Sequence, residues 1–313
     1  MQTKRQIQEL LTAAGVAPNR RLGQHFLVDL NLMRLLIESA GIGPSDVVLE
    51  IGTGTASLTE ALAEQAGQVV TVELDPTLAD IAKSRLAGAA NVQALNTDAL
   101  SNKGSIAPAV IEAVEAAKAK IREMGQIGLI GPMGPDPSPS RVMLVANLPY
   151  DVASPIMINL VKGPLIVDAM CVTVQKEVAE RMIASPGPHD YGTLSIFLQA
   201  TGKVEMVRTM PASAFWPPPQ VESAIVRHVR DSVKSRNILD MHLFGAVVSL
   251  FIGHRRKMLR ACAKSAPPEL GGRDIWPEVF ERCGIDPTRR PEELSPDQYV
   301  CLANTCRHLL PPV

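Results

Sequence analysis

Several short stretches of this chain combine residue types and spacings that could do chemistry. In Glu50-Ile51-Gly52-Thr53-Gly54, two glycines stand between an apolar run and a helical stretch. Glycines at such a turn let main chain approach a ligand closely at a helix N-terminus. Glu73 lies nineteen residues after Gly54, at the end of the next apolar run. An acid so placed can take the hydroxyls of a ribose diol. Asp98 follows the run from Val92 to Thr97. A carboxylate there can accept an adenine N6–H, although an Asp after a strand by itself more commonly caps a helix. Together these features fit an adenosine-bearing cofactor, and both NAD and S-adenosylmethionine carry adenosine. Ser57 stands where a G-x-G-x-x-G fingerprint needs its third glycine, which argues against NAD.

Asn147-Leu148-Pro149-Tyr150 closes a further apolar run and joins an amide, a restricted backbone and an aromatic ring. That grouping suits a delocalised exocyclic amine, adenine N6, as nucleophile. The lone pair of such an amine is spread into its ring, so a site must hold both N–H groups on acceptors and aim the lone pair at a methyl donor. The Asn147 side-chain oxygen and the Leu148 carbonyl can be those acceptors. Pro149 restricts Leu148 to an extended conformation, and Tyr150 offers a face for an extruded base. The N6 proton becomes acidic once the methyl is transferred, so a neutral amide suffices. Read alone, the tetrapeptide also fits a plain turn after a strand.

Such residues meet only if the strands before them end at one sheet edge. The run 47–51, the Gly turn and a helical stretch from Ser57 to Glu64 make one strand, turn, helix unit. The alternation continues, with strands expected at 68–74, 91–95, 142–148, 169–175 and 222–229 and helices over Thr77–Leu86 and Lys176–Ile183. An α/β fold with a parallel, doubly wound sheet follows. Ala107 to Met124 reads as a helix, and the Gly- and Pro-rich run 131–139 cannot be one, so 99–140 reads as an insertion. Beyond Arg230 the strand signals stop. Helical stretches around 240–262, 274–283 and 295–309 predict a small all-α domain, dividing the chain into 1–234 and 235–313.

A chain of 313 residues, 46% hydrophobic and 20% charged, can bury the core of one large and one smaller domain. It has no run of eighteen apolar residues, and Met1 to Gly15 lacks an apolar signal core, so no membrane association and a cytoplasmic address are expected. The five cysteines are odd in number and contain no C-x-x-C, which predicts reduced thiols. Cys301 and Cys306 lack His or Cys partners at finger spacing, so no metal is expected. The net charge of −1 hides an uneven layout. Residues 1–150 hold 12 Lys and Arg against 15 Asp and Glu, whereas 227–260 hold 8 against 2. That basic island fits a nucleic-acid footprint or an ordinary solvated face.

Taken together, the chain resembles the ribosomal RNA adenine N6,N6-dimethyltransferase family, enzymes that dimethylate two adjacent adenines near the 3′ end of small-subunit (16S) ribosomal RNA. The likeness runs from Arg20-Arg21-Leu22-Gly23-Gln24-His25-Phe26-Leu27 through Glu50 to Gly54, Glu73-Leu74-Asp75, Asp98 and Asn147 to Tyr150. It continues in Gln175 to Arg181, Tyr191 to Ser195, Phe215 to Ala224, Arg255-Arg256-Lys257 and Gly284 to Pro287. It departs from the family at His25, Thr53 and Asp151, where Asn, Pro and Asn are common.

The resemblance implies a class I, Rossmann-like methyltransferase sheet and a smaller helical domain. It implies an S-adenosylmethionine pocket formed by His25, Leu27, Gly52, Gly54, Glu73, Asp98 and Asn147, with Glu73 on the ribose and Asp98 on the cofactor adenine. Catalysis would rest on Asn147, Leu148, Pro149, Tyr150 and Phe215, the two aromatic rings sandwiching the target adenine. Arg255, Arg256, Lys257 and Arg260 would meet RNA phosphate. The implied partner is small-subunit ribosomal RNA in an assembling 30S particle, bound by a monomer. Three rivals stay open: a large-subunit adenine methyltransferase, a non-catalytic ribosome-assembly factor and a nicotinamide-dependent oxidoreductase.

Overall fold

The computed structural model describes residues 1–19, 23–126, 140–187 and 189–311. Its central sheet has seven strands: β1 (Val47–Ile51), β2 (Gln68–Glu73), β3 (Val92–Asn96), β4 (Val142–Asn147), β5 (Ala169–Gln175), β6 (Gly202–Met210) and β7 (Ser223–Arg230). They lie in the order β3-β2-β1-β4-β5-β7-β6. Strands β3, β2, β1, β4 and β5 are parallel. Strand β7 is antiparallel to β5, with Ser223 opposite Gln175, so the sheet is mixed where the sequence predicted a parallel one. Antiparallel strands at the edge of an otherwise parallel sheet are common.

Every residue of β1 and β2 is buried, as strands covered on both faces require. The helix after β2, Pro76–Leu86, starts with Pro at its first turn and Asp75 as N-cap, whose carboxylate accepts from the Thr77 and Leu78 amides. Between β1 and β4 the chain's path across the sheet reverses. In open α/β sheets, ligand crevices form at such a reversal, beyond the carboxyl ends of the strands.

The expected insertion at 99–140 is largely part of the fold. Its helix, Pro108–Gln126, packs on β2 and β1 and buries Val110, Val114, Ala117 and Ile121. Parallel strands β3 and β4 need a crossover of a dozen residues or more, and this helix supplies it. Before it come two short antiparallel strands, Leu100–Asn102 and Ser105–Ile106. The Gly- and Pro-rich run 131–139 lies outside the described residues, as do Arg20 to Leu22.

The chain divides into two compact units, residues 1–179 with 205–229 and residues 180–204 with 230–313. The sequence placed 180–204 with the sheet, whereas this segment groups with the C-terminal helices. There its helix Thr193–Thr201 sets Phe197 edge-on to Phe244, ring centroids 5.1 Å apart. Trp276, Phe251 and Phe280 fill the same unit, and the Tyr191 and Tyr299 hydroxyls donate to the Leu294 and Pro291 carbonyls. The predicted helix at 240–262 is broken into Met241–Ile252 and Leu259–Ala263 by a turn that carries Arg255 to Lys257. Cys301 faces Cys283, with sulfurs 2.8 Å apart, while Cys306 is buried near the Leu270 carbonyl.

Candidate active site

A cleft of 210 Å³ opens at the carboxyl ends of β1, β2, β3 and β4. Gly52, at φ +88°, follows β1; a Cβ there would stand 3.4 Å from Pro149 and 3.5 Å from the Asn147 carbonyl. The Gly turn and the Asn-Leu-Pro-Tyr segment thus touch each other. Gly54, at φ +57°, does not line the cleft, and a Cβ there would approach the Phe26 ring to 3.1 Å. Its amide donates to Glu73 Oε2 at 2.8 Å, so it serves the site by fixing that carboxylate.

Glu73 closes β2, and its Oε1 accepts from the Asp75 amide at 2.9 Å. Burial pushes its pKa up, while these main-chain donors pull the other way. The carboxylate keeps lone pairs for two hydroxyls, which is what a ribose diol asks of it. Asp98 uses Oδ1 to accept from the Leu100 amide at 2.9 Å, a turn within its own loop rather than a helix cap. The cleft wall also includes His25, Leu27, Leu74 and Thr97. Leu74, 51% exposed beside Glu73, is an apolar surface that sequence reasoning passed over. Gly main chain, a diol acceptor, an apolar flank and a second carboxylate fit S-adenosylmethionine.

Asn147 ends β4. Its Nδ2 donates to the His25 carbonyl at 2.8 Å, and Thr173 Oγ1 donates to its Oδ1. A carbonyl can only accept, so the nitrogen end must face His25 and the oxygen end must face the hydroxyl. Leu148 donates its amide to the Thr173 carbonyl at 3.2 Å. The Tyr150 hydroxyl shares a 2.7 Å hydrogen bond with Ser223 Oγ, and burial raises the Tyr150 pKa. His25 stacks on the Tyr150 ring, centroids 5.5 Å apart, and its Nδ1 donates to the Pro217 carbonyl at 2.7 Å.

Phe215 is not where the resemblance put it. It is 2% exposed, packs in the core cluster with Leu27 and Met33, and pairs with Leu27 across a two-stranded ribbon. Phe26–Leu27 hydrogen-bonds there to Phe215–Trp216, which turns the Phe215 ring inward and leaves the Tyr150 face to His25.

Two further residues bear on the site. Glu50 lies in the Gly motif but received no role from sequence; its Oε2 accepts from Thr59 and Thr71 hydroxyls at 2.6 and 2.7 Å. Full burial pushes its pKa up to about 8 against these hydrogen bonds. Thr173 carried no sequence signal, because one hydroxyl inside a buried strand reads as β-propensity.

In the other unit, Arg256, Lys257 and Arg260 are exposed. Arg255 is engaged internally, with Nη2 donating to the His189 carbonyl at 2.9 Å and Nε pairing with Glu292 at 3.4 Å. Among the described residues, no group of His, Cys, Asp and Glu could hold a metal ion.

A β3-β2-β1-β4-β5-β7-β6 sheet with this cleft defines a class I methyltransferase, with S-adenosylmethionine as its cofactor. The family model for ribosomal RNA adenine dimethylase matches residues 16–305. The chain belongs to the ribosomal RNA adenine dimethylase family, and it is an enzyme of that chemistry. It is 36% identical over 301 residues to ribosomal RNA small subunit methyltransferase A of Pelotomaculum thermopropionicum, covering 96% of this chain and 95% of that one. The protein of the same name from a Geobacillus species is 32% identical over 304 residues, covering 97% and 96%. Among solved structures, a dimethyladenosine transferase from Plasmodium falciparum aligns with TM-score 0.66 at 23% identity, over 89% of this chain and 96% of that one. The 23S rRNA methyltransferase ErmE aligns with TM-score 0.56 at 22% identity, over 90% and 99%. Both structures share the fold.

Proposed function

We propose that the enzyme dimethylates N6 of two adjacent adenines near the 3′ end of small-subunit ribosomal RNA, as a cytoplasmic monomer acting on an assembling 30S subunit. The observation that carries the chemistry is the fixed orientation of Asn147, whose amide nitrogen is engaged by His25 so that its oxygen remains the acceptor. The choice of subunit rests on the chain-long likeness to small-subunit enzymes.

Glu73 and Asp98 would hold the cofactor's ribose and adenine, with the Gly52 main chain lining the approach. When bound, S-adenosylmethionine supplies an electrophilic methyl group. Asn147 Oδ1 and the Leu148 carbonyl take the two N6–H groups and aim the nitrogen lone pair. Proximity and alignment of this kind replace a strong base. The Tyr150 ring gives the extruded adenine a stacking surface. For the second transfer the same pocket accepts N6-methyladenine. Arg256, Lys257 and Arg260 bind RNA phosphate from the helical unit, residues 180–204 with 230–313.

The test is transfer from labelled S-adenosylmethionine to small subunits lacking adenine dimethylation, read by nucleoside mass spectrometry. N6,N6-dimethyladenosine made by the wild type and not by Asn147→Ala supports the reading. No transfer to small subunits despite cofactor binding, or transfer only to large-subunit RNA offered in a parallel reaction, refutes it.

A further inference from the structure

Two acceptors for the target amine, Asn147 Oδ1 and the Leu148 carbonyl, belong to adjacent residues, and both residues are tied to one partner. Thr173, in β5 beside β4 and 0% exposed, donates its hydroxyl to Asn147 Oδ1 and accepts the Leu148 amide on its main-chain carbonyl. The ladder between the strands places Asn147 directly across from Thr173.

We infer that Thr173 is a positioning residue for methyl transfer, its hydroxyl setting the direction of the Asn147 amide while its main chain seats Leu148. The inference rests on adenine N6 being the methyl acceptor. An amide oxygen has two lone pairs. One is taken by the Thr173 hydroxyl, which leaves a single direction for an N6–H. The opposite end cannot rotate into the cleft without stranding the His25 carbonyl and setting N–H against the incoming amine. A buried threonine that only filled space would do as well with valine, which has nearly the same shape. The hydroxyl is the feature that distinguishes them.

Thr173→Val removes that donor and keeps the shape, whereas Thr173→Ser keeps the donor. In ligand-free enzyme, the Asn147 side-chain amide should give a hydrogen-exchange-protected nitrogen-15 signal, identified by its absence from Asn147→Ala. Thr173→Val leaves the amide pinned only through its nitrogen to the His25 carbonyl and should lower the protection, and Thr173→Ser should retain it. On unmethylated RNA, kcat should fall about tenfold in the valine variant, with cofactor affinity and RNA KM within about twofold of wild type, and serine should restore it. Should valine fold poorly, Thr173→Ser against Thr173→Ala differs only in the hydroxyl and makes the same comparison. An unchanged Asn147 signal and kcat in the hydroxyl-free variants, or a serine variant as impaired as they are, overturns the inference. A wild type inactive on adenine defeats the proposed function instead, and the amide signal still reports on the clamp.

Discussion

The cleft at the sheet edge and the basic segment at 253–260 hold their polar groups in opposite ways. In the cleft each functional side chain is already held by the protein. Glu73 sits on two main-chain amides, Asn147 lies between His25 and Thr173, and Tyr150 is held by Ser223 and the His25 ring. In the basic segment, Arg256 and Lys257 on the turn and Arg260 at the start of the helix that follows stand in solvent, as does Met258, itself 44% exposed. Groups fixed before the reaction act on the rate of the chemical step, because no reorganisation is left to do. Solvated cations act on encounter and affinity, and salt screens them. Substitutions in the two regions should therefore fail in different kinetic parameters.

The largest expected effect is that of Asn147→Ala, which removes an acceptor used while the methyl is in flight. A fall in kcat of about a thousandfold is expected, with RNA KM changed by no more than a few-fold. A loss in KM at preserved kcat would erase the contrast between the regions. Phe215→Ala comes next. As a core residue it should cost about 3 kcal/mol of stability, seen as a lower melting temperature, with near-normal turnover in the fraction that stays folded. An unchanged melting temperature with a raised RNA KM would return Phe215 to the base-stacking role.

That contrast also separates what the sequence could and could not reveal. The Gly turn, Glu73, Asp98 and Asn147 to Tyr150 were legible because each stands at or just past the carboxyl end of a strand of the sheet, and periodicity alone brings such ends to one edge. The inward turn of Phe215 was not, since it depends on a two-residue ribbon to Phe26–Leu27, 188 positions away by the pairing of Leu27 with Phe215. The half-exposed edge strand β6 escaped for a related reason. Its run Lys203-Val204-Glu205-Met206-Val207-Arg208 has no clean alternation, because an edge strand answers to solvent as much as to the core. The crossover helix Pro108–Gln126 was recognised as a helix but misassigned to an insertion, its role obscured by the Gly- and Pro-rich run that follows. Arg255 looked like its neighbours in sequence, and only its contacts with Glu292 and His189 set it apart.

A smaller effect tests how much of the cleft's order is electrostatic. The Glu50 carboxyl, with its pKa near 8 in the fold against an ordinary 4.5, keeps its proton in the native state over a range where the unfolded chain has lost it. The unfolded state then binds fewer protons, so this group makes stability fall as pH rises from about 4.5 to about 8, and the loss is complete above that. Glu50→Gln keeps an oxygen for the Thr59 and Thr71 hydroxyls and removes the titration. The whole shift would amount to about 5 kcal/mol; with about half of it taken up by relaxation around the ionised carboxylate, the variant's stability should exceed that of wild type by roughly 2 kcal/mol at pH 8.5 and come close to it near pH 5, by denaturant titration at both values. A gap that does not vary with pH would mean that the carboxyl titrates normally.

The smallest effects belong to the basic segment, where the pattern carries the information. Arg256→Ala, Lys257→Ala and Arg260→Ala should each raise RNA KM about two- to fivefold at unchanged kcat, as expected for exposed phosphate contacts that salt competes with. Each should also lower the slope of log KM against log salt by about one. Combined, the three should multiply, because solvated charges that share no partner act independently. Arg255→Ala should behave differently, lowering the melting temperature because it leaves Glu292 without its guanidinium and the His189 carbonyl without its donor. If Arg255→Ala instead joined the other three, with an intact fold and a reduced salt slope, its internal contacts would be the ones that RNA displaces.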